Sequence, residues 1–426
     1  MIDGRESPAP RLLEPRLALL LLLQFSIPGA WIPVIPPYLS GSLGFSPWEV
    51  GLLLAVPGVG AFLAPWISGQ LADRHMPAER LLALLTMATA VALIGFAVSR
   101  SFATLLVWIG LQGLTFSPTI SLVNAICLTH LPRPEESFGR VRLWGTVGWI
   151  LGGIAVGQWL LHAHSSGLDE ASVRVAQDSG RVDGVWLAAW LSVASALYTV
   201  LAIPRTPPPD EPLQWNAVAE AWTAFRSRPL LGLFAAGLFA SCIDRFYLYH
   251  GAARLSEYGV GPPDWIDRVF GVGGGGLMTL GQLAEIAVLA LLPLLLRWFS
   301  IRTLLAFGLW AFLGRMIVLA TCESLVPVLG AVSLHGVSYA SFFFVGTLAV
   351  DRLAPRDTRA SAQALFLTVY AGFGGIVGAG LAAWAGAWAQ SRGADPWLLI
   401  FSIPSGLAVL ALVAFRWGWP EEERSA

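Results

Sequence analysis

Three residues suited to ligand binding share one helical face near the start of an apolar segment. In FGRVRLWGTVGWI (138–150), Arg142, Thr146 and Trp149 are spaced i, i+4 and i+7, which places them on one side of a helix. A guanidinium, a hydroxyl and a flat aromatic ring on one side can hydrogen-bond and stack against a planar polar ligand. The alternative is that Arg142 extends along its apolar stem to water at the nearby helix end.

An isolated acid marks a second segment. Gln282 and Glu285 are spaced i, i+3 in MTLGQLAEIAVLALLPLLL (278–296), where no cation lies close in sequence. A carboxylate in such surroundings either takes up a proton or needs a partner on another helix. Glu285 is therefore a candidate for proton coupling and for binding the hydroxyl groups of a sugar. The alternative is a structural hydrogen-bonding pair between two helices.

Two further apolar segments contain polar side chains. Asp244 and Arg245 are adjacent in SCIDRFYLYH (241–250), where they either neutralise each other or contribute to a site. In LHGVSYASFFF (334–344), His335 and Tyr339 are spaced i, i+4 and share a face with Ser338. A lone histidine on an apolar face is as often a structural hydrogen-bonder as a ligand contact.

The remaining polar residues are interpreted as structural. Hydroxyl and amide groups at a helix interface usually join helices, and one segment carries such a stripe: Ser117, Ser121 and Asn124. Arg315 is close to the end of its segment and is expected to be structural. His162 and His164 form an H-x-H pair without a third ligand, so we expect no metal site. The chain has no lysine, which excludes a P-loop or a Schiff-base lysine.

All of these residues lie in segments that are predicted to cross a membrane. The 426 residues are 56% hydrophobic and only 12% charged, about half the charged fraction of a soluble domain. Apolar stretches of about 20 residues, each long enough to span a bilayer, recur along the chain. The net charge of −1 and the absence of a basic tail give no indication of nucleic-acid binding. The apolar stretch 17–23 precedes no small-residue cleavage site and is interpreted as the first span.

The prediction is an all-α membrane protein with twelve transmembrane helices in two six-helix halves. The predicted spans of residues 1–203 are Leu17–Leu39, Trp48–Leu71, Arg80–Val98, Phe102–Leu128, Phe138–Leu161 and Val185–Ile203. Those of residues 230–426 are Leu230–Ala253, Gly273–Trp298, Arg302–Thr321, Val326–Val350, Ala360–Ala389 and Trp397–Phe415.

A polar linker, residues 204–229, separates the two halves. It begins Pro-rich, and Trp215, Val218, Trp222 and Phe225 then follow at helical spacing, which predicts a short helix on the membrane surface. All 26 basic residues are arginines, and most of them fall on the side of the N-terminus. This excess predicts that both termini and the linker are cytoplasmic. The stretch 164–184 is then an outer loop.

This layout resembles the major facilitator superfamily. GQLADR (69–74) follows the second predicted span and is similar to the G-x-L-A-D-R part of the superfamily's loop signature. The resemblance implies that Asp73 and Arg74 lock the cytoplasmic side when the transporter opens outward. The basic second part of the signature is degraded here to HMPAER (75–80), and DRLAPRDTRA (351–360) occupies the equivalent loop in the second half.

A closer resemblance is to the bacterial nucleoside:proton symporter family. It is carried by LLQFSIPGAW (22–31), PTISLVNAICL (118–128), FGRVRLWGTVGWI (138–150), MTLGQLAE (278–285), LHGVSYASFFFVG (334–346) and RASAQALF (359–366). It implies that Arg142, Thr146 and Trp149 line the nucleobase end of the site. It also implies that Gln282 and Glu285 hold the ribose and that Tyr339 packs on the base.

Four positions depart from the family pattern. Arg245 and Leu248 occupy helix 7 positions where the family has a glutamine and an asparagine. Ala340 follows the helix 10 aromatic, where the family usually has an aspartate, and His335 occupies a position that can be tyrosine. Replacement of the family aspartate by Ala340 affects the expected proton coupling. The changed side chains at the other positions affect the expected substrate, because deleting one buried polar partner changes the discrimination between substrates by about 1–3 kcal/mol.

The sequence therefore predicts a secondary transporter that imports a nucleoside with a proton by alternating access, at a mid-membrane site between the halves. Its setting is the bacterial inner membrane, as a monomer without cofactor. A sugar or oligosaccharide symporter is the first alternative, and efflux of amphipathic compounds is disfavoured by the polar site. We find no nucleophile, metal site or paired acids for an enzyme. A transport-derived sensor would bind the ligand without net flux.

Overall fold

The structure, a computed structural model, describes residues 13–72, 76–132, 134–165, 170–206, 227–256, 268–269, 271, 275–354, 359–392 and 395–419. Within this part of the chain, twelve helices are long and apolar enough to cross a membrane. In the first half they are α1 (Leu13–Trp31), α2 (Pro47–Ala55 and Pro57–Ala72), α3 (Ala78–Val98), α4 (Phe102–His130), α5 (Pro134–Ala163) and α6 (Val182–Ala202). In the second half they are α7 (Arg228–Ser256), α8 (Gly275–Trp298), α9 (Ile301–Thr321), α10 (Leu325–Tyr339 and Val345–Leu353), α11 (Arg359–Leu367 and Gly374–Arg392) and α12 (Pro396–Gly418).

The two halves repeat one packing pattern. In the first half, α1 packs on α5 and α6, α3 packs on α4 and α6, and α2 packs on α4. In the second half, α7 packs on α11 and α12, α9 packs on α10 and α12, and α8 packs on α10. Each pairing recurs six helices later, which is the pattern of two parallel repeats. The fold is therefore two similar six-helix bundles, as the sequence predicts.

Glycines allow the pairs that carry polar side chains to approach closely. A Cβ atom at Gly148 of α5 would collide with the backbone of Leu22 in α1. A second close contact, between α8 and α10, leaves no room for a Cβ at Gly336, which meets the backbone of Gly281 and Glu285. Small residues at such crossings bring helix backbones together, so these glycines set how near the polar side chains of neighbouring helices lie.

Each half has its own apolar interior, and each presents an apolar exterior. The buried apolar clusters of the first half draw on residues 13–203, and that of the second half on residues 230–415. Exposed apolar side chains recur seven residues apart along α3 at Leu84, Val91 and Val98, on one helical face. Apolar faces of this kind suit lipid contact.

The halves are joined at the face of the bundle opposite the two termini, here called the distal face. Tyr249 Oη of α7 donates to the carbonyl oxygen of Pro47 at the start of α2 (2.7 Å). Gln158 Nε2 of α5 donates to the carbonyl oxygen of Arg268 (2.9 Å). Gly271, with φ +78°, lies against the backbone of Gly157, where a side chain could not fit. These contacts join the two halves at the distal face.

Two sequence expectations need comment. The stretch 164–184, expected to be a loop, contains a helix at Glu170–Gly180, and α6 begins at Val182. That helix is polar and amphipathic, so a search for continuous apolar runs passes over it. The expected surface helix at Trp215 to Phe225, and the loop residues Asp73 and Arg74, lie outside the described residues.

Candidate functional site

The predicted α5 face is built against α1. The Arg142 guanidinium lies over the Phe25 ring of α1, 4.2 Å from the ring centroid. Thr146 is buried and Trp149 is half-buried, one and two turns further along. The ring holds the guanidinium by a cation–π contact within the bundle. This position differs from that of an arginine extending to water from a helix end.

The predicted acid lies where α8 crosses α10. Gln282 and Glu285 are both half-buried. Gly336 packs directly on the backbone of Glu285, and a Cβ built at Gly281 would lie 3.0 Å from the Cβ of His335. These contacts fix the Glu285 backbone close to the polar face of α10. The sequence assigns Glu285 and His335 to two separate predicted spans, and the glycine contacts show that these two helices are neighbours.

Electrostatic interaction connects the two halves at this depth. Arg142 of the first half is close enough to act on Glu285 of α8, Tyr339 of α10 and Tyr370 of α11. The structure thus brings one predicted cation, one predicted acid and one predicted aromatic residue together across the interface between the halves. That interface is where alternating access requires a substrate to bind.

Aromatic side chains form the α10–α11 wall of this region. His335 and Tyr339 have ring centroids 5.7 Å apart, Tyr339 and Phe343 5.0 Å, and Phe343 and Tyr370 4.8 Å. This continuous run of rings suits stacking against a planar ligand.

Both α10 and α11 contain a π-helical turn beside these rings. The turns span Ala340–Phe344 and Thr368–Phe373, and such turns are frequent at functional sites. The turn in α11 leaves carbonyl groups that need donors, and α7 supplies them. Ser241 Oγ donates to the carbonyl oxygen of Tyr370, and Cys242 Sγ donates to that of Gly374.

A charged cluster, which sequence reasoning did not assemble, joins α7, α9 and α10. Arg315 is fully buried and donates from Nη1 to His335 Nδ1 (2.6 Å). Its guanidinium lies 4.4 Å from the centroid of the Tyr247 ring. Asp244 Oδ2 accepts from Arg245 Nη2 (3.3 Å), and Asp244 Oδ1 is 3.8 Å from His335 Nδ1. The available signal was an arginine within an apolar span, but its partners on other helices could not be read from spacing.

Arg245 also lines a cavity between the halves, towards the distal face. The cavity has a volume of about 190 Å³, somewhat more than the roughly 150 Å³ that holds a benzene ring. The first half contributes Trp31 of α1 and Gln112, Phe116 and Ser117 of α4. The sequence pattern favours a helix-joining role for the α4 residues Ser117, Ser121 and Asn124, whereas Ser117 lies at the wall of this cavity.

No metal centre is formed by the described residues, among which no three histidine, cysteine, aspartate or glutamate side chains cluster. His164 Nε2 is hydrogen-bonded to Asp183 Oδ2 (2.9 Å), and His162 Nδ1 is 2.9 Å from the carbonyl oxygen of Gln158. Each histidine of the H-x-H pair thus has a separate protein partner.

Comparison with known proteins adds a family match, two relatives and one solved structure. A family model described as Nucleoside H+ symporter matches residues 12–424. The chain is 28% identical over 373 residues to the putative nucleoside transporter YegT of Escherichia coli K12, covering 85% of this chain and 82% of that protein. It is 25% identical over 417 residues to the xanthosine permease of the same organism, covering 95% of each. A crystal structure of a mutant of the nucleoside transporter NupG superposes with a TM-score of 0.81 at 21% identity, covering 96% of this chain and 100% of that chain, which shows a shared fold.

Proposed function

The chain belongs to the nucleoside H+ symporter family, and from this premise we propose that it binds a nucleoside between its two halves, with Arg142 and Glu285 on opposite sides of the ligand. It is a multi-pass bacterial membrane transporter and not an enzyme. Its activity is import of a nucleoside with a proton. The observation that carries the proposed site is the packing of α5, which bears Arg142, against α8, which bears Glu285, across the interface between the halves.

The contacts of each residue suggest its role. Arg142 is held over Phe25 and carries donors that can meet the acceptor edge of a base. Thr146 and Trp149 extend the same face, and Tyr339 offers a ring for stacking. Gln282 and Glu285 would hold the ribose hydroxyls, and His335 and Arg245 would complete the polar wall on α10 and α7.

Glu285 is the proposed proton-coupling acid. It lies half-buried within an apolar helix, where an ionised carboxylate is costly without a partner. In this arrangement of the two halves, Arg142 of the first half is near enough to interact with it. A carboxylate whose charge depends on the position of the other half can link proton binding to alternating access.

We also propose the following organisation. Residues 1–203 and 230–426 form the two moving halves, residues 204–229 form a cytoplasmic linker, and the protein works as a monomer. The arginine excess favours cytoplasmic termini in the bacterial inner membrane, so the distal face would be the outward-facing side. Asp73 and Arg74 are proposed as the cytoplasmic gate.

Counterflow in liposomes tests the substrate. Purified protein is reconstituted with unlabelled uridine or adenosine inside and trace labelled nucleoside outside, and counterflow needs no ion gradient. Transient accumulation of label is the expected result. Its absence with correctly folded protein would contradict nucleoside transport, and sugars would then be screened.

Two variants test the site. Arg142→Ala should raise the half-saturating nucleoside concentration about tenfold or more, because a charged hydrogen bond contributes roughly 1.5–3 kcal/mol, while the exposed control Arg297→Ala stays at the wild-type value. Glu285→Gln should abolish accumulation driven by a pH gradient, while the exposed control Glu323→Gln retains it. Unchanged affinity in the first variant, or unchanged accumulation in the second, would remove that residue from the proposed role.

A further inference from the structure

The cluster of Asp244, Tyr247, Arg315 and His335 contains more charge than substrate contact requires. Arg315 has no exposed surface and Asp244 is 9% exposed. Charged groups inside a membrane protein are costly and usually mark ion or substrate pathways. Within the described part of the chain, Arg315 Nε and Nη2 have no hydrogen-bond partner, so the cation is held by His335, by Tyr247 and by the field of Asp244.

The contact between Arg315 and His335 fixes the protonation state of the imidazole. A guanidinium can only donate, and Arg315 Nη1 lies 2.6 Å from His335 Nδ1. Nδ1 must therefore accept, which makes the ring neutral with its proton on Nε2. A proton on Nδ1 would abolish this hydrogen bond and would place two cations side by side.

A second partner for Nδ1 is already close. Asp244 Oδ1 lies 3.8 Å from His335 Nδ1, beyond hydrogen-bond length. A displacement of about 1 Å would bring this pair to the usual 2.7–2.9 Å of a charge-assisted hydrogen bond. The imidazole thus lies between a cation that favours its neutral form and a carboxylate that favours its protonated form.

We propose that His335 is a second proton-binding group of the transport cycle, and that its Nδ1 exchanges Arg315 for Asp244 when it takes up a proton. The inference deepens the proposed function and rests on it. The proton comes from water and binds the Nδ1 lone pair. The Arg315 hydrogen bond breaks, a hydrogen bond from Nδ1 to Asp244 Oδ1 forms, and the positive charge of the cluster rises by one until the proton is released.

The exchange would move a wall of the substrate site. The His335 ring stacks on Tyr247 (ring centroids 5.2 Å apart) and meets Tyr339 in a tilted contact (5.7 Å). The π-helical turn Ala340–Phe344 follows directly after Tyr339. A shift of His335 towards α7 would carry Tyr339 with it. The ionisable and charged groups around the imidazole come from α7, α8, α9 and α10: Asp244, Tyr247, Glu285, Arg315 and Tyr339.

The test is the pH dependence of nucleoside uptake in proteoliposomes, read as the pH of half-maximal transport. Imidazoles ordinarily titrate near pH 6.5. Asp244→Asn removes the carboxylate that stabilises the protonated ring, so half-maximal transport should move to lower pH by about one unit. Arg315→Gln keeps a donor for Nδ1 but removes the repelling charge, so the midpoint should move about one unit to higher pH.

Opposite shifts distinguish a proton-binding role from loss of structure, since general damage does not move a midpoint in two directions. The control is His162→Gln, which alters an exposed histidine and should keep the wild-type profile. Wild-type midpoints in both charge variants, or shifts in the same direction, would overturn the proposal. If Asp244→Asn fails to fold, Arg315→Gln alone decides by the sign of its shift. Wild-type protein that transports no nucleoside at any pH would instead contradict the proposed function.

Discussion

The polar interiors of the two halves differ, although their helices pair in the same way. In the first half, Gln24 Nε2 donates to Thr119 Oγ1 (2.7 Å), and Gln24 Oε1 accepts from Ser195 Oγ (2.9 Å). This network joins α1, α4 and α6 through neutral groups. In the second half, the polar interior between α7, α9 and α10 contains Arg315 and Asp244, with His335 between them.

The difference indicates that the two halves have different roles in the transport cycle. A satisfied neutral network makes one arrangement of its helices favourable and gives little reason to change with pH. A buried cluster of charges with incomplete pairing has a second arrangement close in energy, because a proton alters which contacts are attractive. The first half then serves as the scaffold that presents Arg142, and the second half as the part that responds to protons.

The largest expected effect comes from removing the carboxylate of the charged cluster. Asp244→Asn removes the carboxylate that acts on the fully buried Arg315, and leaving a buried charge uncompensated costs about 3–5 kcal/mol. Adding Arg315→Met removes the buried guanidinium that Asp244→Asn leaves uncompensated. The double variant should therefore recover most of the lost stability. Thermal unfolding of the purified variants in detergent measures both changes.

The recovery in that double variant is the informative outcome. If Asp244→Asn and Arg315→Met destabilise the protein additively, the two charges do not compensate each other, and the contrast between the halves loses its physical basis.

An intermediate effect is expected at the equivalent glycine contacts of the two halves. A Cβ at Gly336 would press on the backbone of Glu285, and a Cβ at Gly113 would lie 2.5 Å from Cα of Pro57. Each alanine should cost about 1–3 kcal/mol, since overpacked backbones must separate. Gly336→Ala should also weaken nucleoside binding at least tenfold by displacing Glu285, whereas Gly113→Ala should change it less than threefold. Equal losses of nucleoside affinity in the two variants would contradict a specific role of Glu285 in binding, since the neutral contact at Gly113 would matter as much.

Much of the fold was predictable because it depends on apolar length alone. The predicted span Arg302–Thr321 matches α9 (Ile301–Thr321), and Phe102–Leu128 matches α4 (Phe102–His130). The helix Glu170–Gly180 was missed because its polar composition resembles that of a loop. The π-helical turns were also missed, since an added residue within a helical turn does not change the apolar pattern from which the spans were predicted.

The candidate site was predictable only helix by helix. Spacing places Arg142 and Thr146 on one face, but it cannot say which residue of another helix faces them. The 20-residue separation between Arg315 and His335 has no meaning until the register of α9 and α10 is known. That register is set by side-chain packing, so Arg315 was interpreted as structural when it was considered alone.

The smallest expected effect is in the neutral network. Gln24→Leu leaves the hydroxyl groups of Thr119 and Ser195 without their shared partner, and it should cost about 1–2 kcal/mol. Thr119 Oγ1 keeps its bond to the carbonyl oxygen of Phe116, which limits the loss. The pH of half-maximal nucleoside transport should stay at the wild-type value, because no ionisable group is touched. A shifted midpoint in Gln24→Leu would show that the first half also senses protons, since a scaffold of neutral hydrogen bonds has no means of moving it.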